Sequence, residues 1–150
     1  MKKYSFRLQP VLDIREKVLE DKRLEMAKVI KLLNDYQEEL NVLQEKFLSY
    51  REEMETLMSS QGDVDVSQLA SYNGYLFQVE QEIKDKQMTI ENTKKVLRVK
   101  QAEVSEALKD VKVLEKLKEN QSKNFYNAIY KKEAEEIEDI VTARYKIQQV

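Results

Sequence analysis

From Val29 to Leu57 the apolar residues of this chain keep strict time. Val29, Leu33, Tyr36, Leu40, Leu43, Phe47, Tyr50, Met54 and Leu57 are separated alternately by four and three residues. That alternation draws one narrow seam along a helix, as in supercoiled helix pairs. A seam this narrow cannot be buried by its own helix, so it requires a partner. Carried backward, the same positions hold Met26, Lys22, Leu19, Arg15 and Leu12. Two of them are basic; their long stems can lie along apolar surface with the charge in water, weakening the seam while helping to fix its register.

The spacing predicts a first helix over about 10–59. Pro10 suits its first turn, where a missing N–H costs nothing, and Asp13 and Glu16 lie toward the positive end of its dipole. The pattern breaks at Ser59-Ser60-Gln61-Gly62-Asp63-Val64-Asp65. Gly62 fits a left-handed C-terminal cap, and Asp65 with Gln68 reads as an N-cap with its capping-box partner. A tight reversal over about 60–65 is therefore expected.

A second helix is predicted over about 66–148. Its seam runs Leu69, Tyr72, Leu76, Val79, Ile83, Lys86, Ile90, Thr93, Leu97, Lys100, Val104, Ala107, Val111, Leu114. Gly74 should weaken its first turns. Glu80 with Lys84 and Glu119 with Lys123 have the favourable i, i+4 order. Folding the chain at the break sets Leu57 opposite Leu69, Tyr36 opposite Ile90, Val29 opposite Leu97 and Leu12 opposite Leu114. Lys100 then faces Met26 and Lys22 faces Val104, so no two basic seam residues are forced together. The fold class expected is all-α: a single domain, 1–150, forming a long antiparallel two-helix coiled-coil hairpin. At 1.5 Å per residue the paired part would be roughly 70 Å long. The C-terminal part of the second helix should overhang.

That overhang, from about Glu119, is not uniformly polar. Tyr126, Tyr130, Ala134, Ile137, Val141 and Tyr145 form a second stripe, beside the acidic residues Glu133, Glu135, Glu136, Glu138 and Asp139. The segment before the first helix, residues 1–9, is basic (Lys2, Lys3, Arg7) and carries Tyr4, Phe6 and Leu8. It reads either as a frayed terminus or as an extended arm packing its aromatics on a neighbouring helix. The stripe likewise has two readings. Either the arm covers part of it and the rest is a solvated tail, or its uncovered length is a docking surface.

Composition narrows the chemistry. The chain has 150 residues, 36% of them charged, with two glycines and one proline, which favours long helices over turns. Cysteine and histidine are both absent, removing thiolate metal sites, disulfides and the commonest general base. Two isolated glycines make no phosphate loop. Carboxylate pairs such as Glu135 with Asp139 read as solvated surface, and the acidic run lacks the turn of a calcium loop. No catalytic residue, cofactor site or metal site is expected, because two paired helices offer no water-excluding pocket. A formal net charge of −2 with mixed signs gives no basic face for nucleic acid. No apolar run is long enough to span a bilayer, and the basic start lacks the apolar region of a signal peptide, so a cytoplasmic protein is expected.

The opening YSFRLQPVLDIREKVLEDKRLEMAK resembles the N-terminus of the bacterial flagellar export protein FliJ family. The later VLEKLKENQSKNFYNAIYKKEAEEIEDIVTARY is similar to that family's C-terminal block. The family's usual Asp-Glu near the C-terminus is represented here by Glu138-Asp139 or by Glu136 nearby. The resemblance spans nearly the whole chain. It implies a non-enzymatic part of the flagellar type III protein export apparatus, serving flagellum biogenesis and, through it, chemotaxis. The implied shape is that of the central stalk of rotary ATPases. The implied partners are the hexameric flagellar export ATPase, the cytoplasmic domain of the membrane export gate, and export chaperones that are recycled. The implied location is peripheral, at the inner face of the cell membrane at the flagellar base. Neither a nucleic acid nor a small-molecule substrate is implied. For the ATPase ring the matching candidates, with the N-terminal arm, are Phe125, Tyr126, Tyr130, Ile137, Val141 and Tyr145. For the gate they are Tyr72, Tyr75 and Val79, of which only Tyr75 falls outside the seam. The alternative is a coiled-coil scaffold or holdase-type chaperone, dimeric through the same stripe.

Overall fold

The computed structural model describes residues 2–59, 62 and 64–149. It consists of two long helices, α1 (Gln9–Ser59) and α2 (Val66–Gln148), packed against each other as an all-α helical hairpin. Both helices begin and end within a residue of the positions that the hydrophobic pattern predicts. Most of the reversal expected over 60–65 lies outside the described residues. Gly62 is described but its two neighbours are not, so the left-handed cap expected there lies outside the described residues. The N-cap is present. The Ser67 N–H donates to Asp65 Oδ1 at 3.0 Å, and the Leu69 N–H donates to the Asp65 carbonyl at 3.1 Å. The reciprocal bond expected from Gln68 is not found among the described residues, so the cap works from one side only. The helix runs through Gly74 without interruption, and a Cβ placed there would meet nothing within 4 Å.

By its contacts the chain falls into two compact units, residues 22–104 and residues 1–21 with 105–150. In the first, the predicted seam is the buried line. Leu40, Val79 and Ile90 are buried, while Val29, Leu33, Tyr36, Leu43, Phe47, Leu76, Ile83 and Leu97 are half-buried. Two helices shield each other from one side only, which is why so much of the seam keeps partial exposure. Cross-helix partners fix the antiparallel register. Glu25 meets Lys100, Glu39 meets Lys86, Tyr50 stacks on Tyr75 with centroids 5.8 Å apart, and the Tyr72 hydroxyl donates to Glu53 at 3.1 Å. Each step forward along α1 is matched by an equal step back along α2.

The seam lysines depart from expectation. Lys22 and Lys100 are not kept apart by apolar neighbours; both reach Glu25 and Glu103, at 3.2 to 3.6 Å. The two carboxylates flank the seam and sit between the two ammonium groups, so the lysines share counter-charges and do not oppose each other bare. On the surface, Lys84 meets Glu80 at 3.8 Å as predicted. Glu119 pairs with Lys116 at 3.7 Å and not with Lys123, so its partner lies one turn earlier.

In the second unit the core is Phe6, Leu12, Leu19, Ala107 and Val111. Burying a side chain of this size contributes about 1.5–3 kcal/mol. Arg15, a seam position by spacing, turns outward to Asp110 at 3.7 Å. The Leu12 N–H donates to the Leu8 carbonyl at 2.9 Å, and the Gln9 N–H closes on the Phe6 carbonyl at 3.1 Å. Pro10, which has no N–H to give, therefore sits in the first turn without loss.

Candidate partner-binding faces

Residues 2–8 are an arm and not a frayed end. Phe6 is only 6% exposed. The Tyr4 ring lies 5.5 Å from the Phe125 ring, and Phe125 meets Tyr126 edge to face at 5.4 Å. The Tyr4 hydroxyl donates to Gln121 Oε1 at 3.0 Å, and Lys118 Nζ donates to Gln9 Oε1 at 2.7 Å. Aromatic clusters in this geometry add about 0.5–1.5 kcal/mol beyond the area they bury. Phe125 and Tyr126, the first two ATPase-ring candidates, are therefore half-buried, with Tyr4 of the same chain against them.

Beyond them the face is bare. Every residue of 131–149 is exposed. Tyr130, Ile137, Val141 and Tyr145 are each more than half exposed, as are Ile140 and Ile147, which the spacing argument did not include. A helix turns about 100° per residue, so Tyr130, Ile137 and Val141 fall on one line, with Ile140 to one side and Tyr145 to the other. Ile140 and Ile147 were legible as a second row at a spacing of seven beside the chosen one. Among the described residues none of the five carboxylates of 133–139 takes part in an ion pair. The polar contacts in this segment are local: the Thr142 hydroxyl donates to the Glu138 carbonyl at 2.9 Å, and Gln149 Nε2 donates to the Tyr145 hydroxyl at 2.8 Å.

The three gate candidates divide. Val79 is 2% exposed and is spent on the helix–helix interface, so it offers no outer contact while the hairpin is closed. Tyr72 is half-buried, and its phenol is held above the usual range, chiefly by its hydrogen bond to Glu53 and then by burial. Tyr75 is 55% exposed, with one face on Tyr50, which Lys46 in turn overlies at 5.8 Å. Phe77, Met58 and Leu48, absent from the sequence-derived set, are at least as exposed. Their positions break the seam period, the one signal that could have picked them out.

Among the described residues no group of three or more acidic side chains is placed to hold a metal ion. One recess, about 820 Å³, is an open surface groove lined by residues that include Asp35, Glu38, Glu39, Glu82, Asp85 and Lys86. No described helix is long and apolar enough to cross a membrane.

Compared with known proteins, residues 4–149 match the family model described as Flagellar FliJ protein. No curated protein and no solved structure matches the chain.

Proposed function

Since the chain belongs to the flagellar FliJ protein family and so is a component of the flagellar export apparatus, we propose that it is a stalk-like coiled coil that binds the export ATPase ring. In this reading it promotes assembly and activity of the ring and couples it to the cytoplasmic domain of the membrane export gate, working peripherally at the flagellar base. Recycling of export chaperones belongs to the same proposal. The observation that carries it is the bare face of α2, on which Tyr130, Ile137, Val141 and Tyr145 stand exposed. A folded chain that leaves such a row in water has a use for it outside itself. The N-terminal arm borders this face through Tyr4. For the gate, Tyr75 is the candidate favoured, because it is the one member of its set presented outward. ATP hydrolysis belongs to the partner.

ATP turnover by the purified export ATPase tests this. Added intact protein is expected to raise turnover, and the Ile137→Asp/Val141→Asp variant is expected to leave it at the basal rate. Equal stimulation by the two would refute the assignment of this face.

A further inference from the structure

The bare face carries more information than its apolar row. We propose that it is built for a cationic partner surface: its occupant is a protein groove that is apolar along its floor and rimmed by lysine and arginine. The inference rests on the reading that this face receives the export ATPase, and adds what the receiving surface must carry.

The geometry of one turn argues it. With Ile137 at the centre of the face, Glu136 and Glu138 project about 100° to either side, and Glu133 falls beside Ile137 one turn earlier. Around Ile137 the apolar row thus has acidic shoulders on both edges, while Arg144, seven residues on, stands in line with it. These carboxylates are exposed, and among the described residues they have no ion-pair partner on their own chain. An apolar partner without counter-charges would bury them unpaired, which is costly. An anionic surface, whether acidic lipid or nucleic acid, would be repelled by the carboxylates of 133–139.

A second copy of the chain fits no better. Along this segment the charges run basic at Lys131 and Lys132, acidic over 133–139, and basic again at Arg144 and Lys146. That order reads almost the same in both directions. Parallel self-pairing therefore sets like against like, and so does antiparallel self-pairing centred on the segment. Charges arranged this way select against homotypic pairing and for a partner of opposite rim.

The test is a binding titration of the full-length chain against purified export ATPase at about 50 and 200 mM salt. Four proteins are compared: the unaltered chain, Glu136→Gln/Glu138→Gln, Glu136→Lys/Glu138→Lys and Ile137→Asp/Val141→Asp. The unaltered chain should lose roughly tenfold in affinity across this salt range. The Gln variant should bind more weakly at low salt with a flatter salt dependence, and the Lys variant should lose at least tenfold at low salt. Circular dichroism and melting should be unchanged in all four. If both charge variants bind like the unaltered chain while the Asp variant does not bind, the cationic-rim inference is wrong and the docking face stands. If the Asp variant also binds normally, the docking face itself is wrong.

Discussion

Lys22 and Lys100, on opposite helices, hold the same two carboxylate oxygens between them. Lys22 Nζ lies 3.6 Å from Glu25 Oε2 and 3.4 Å from Glu103 Oε2, and Lys100 Nζ lies 3.2 Å and 3.5 Å from the same atoms. The four charges alternate around a ring that only one antiparallel register can close. Glu103 Oε2 is shielded from solvent and lacks a well-aligned hydrogen bond, so its stability depends on the two ammonium groups. Lys100→Glu is expected to lower the melting temperature by placing a third carboxylate in the ring. Adding Glu25→Lys should recover much of that loss. Thermal melts of the two variants check it, and failure of the second change to recover stability would show the ring to be incidental.

The same ring gives a pH dependence with a definite sign. The hydrogen bond from Lys100, followed by the charges of Lys100 and Lys22, holds the Glu25 carboxyl below its ordinary range. Its contribution is therefore present at neutral pH and lost as pH falls through that lowered value. Lys100 is raised, first by its hydrogen bond to Glu25 and then by the charges of Glu103 and Glu25. Its contribution is intact below about pH 10 and lost as pH climbs through the raised value. Tyr72, held up by Glu53, fails in the same alkaline direction. Melting temperature should be flat through neutrality and fall at both ends. In Lys100→Met the acid limb should soften.

Gly74 lies within the helical part of α2 with open space where a side chain would be. Gly74→Ala should stabilise the chain by about 1 kcal/mol, through helix propensity and a less flexible unfolded state. Chemical denaturation measures it. A loss of stability would mean that the glycine is serving a contact that the folded chain alone does not show.

Phe6 tests whether the arm is structural. Phe6→Ala should destabilise the chain by about 3 kcal/mol, the usual cost of emptying a buried phenylalanine site. Ile137→Ala should change stability by no more than about 0.5 kcal/mol, because that side chain is already in water. Denaturant titrations of the two variants separate core from docking face. If Phe6→Ala is silent, the arm is not holding its end of α2.

How much of this was legible beforehand depends on the kind of force. The seam positions from Leu12 to Leu57 and from Leu69 to Leu114, the helix limits and the antiparallel pairing all follow from the heptad spacing, because burial repeats with the helix. The ring of Lys22, Glu25, Lys100 and Glu103 did not follow. Its carboxylates flank the seam, and only the rotamers of four long side chains bring them together. The arm was left open for a similar reason: Tyr4 and Phe6 have no helical periodicity, and the partners of Tyr4, Gln121 and Phe125, lie more than a hundred residues away. Val79 shows the converse tension, since the family resemblance offers it to a partner while the seam buries it.

Hydrogen exchange over residues 130–147, in the free chain and with the export ATPase added, is the most direct measurement of the central claim. In the free chain the amides of this segment should exchange faster than those around Ile90 and Val111, because no second helix packs on it. With the ATPase present, protection should rise across 130–147 and little elsewhere in α2. Strong protection already in the free chain, or no change on adding the ATPase, would contradict the claim.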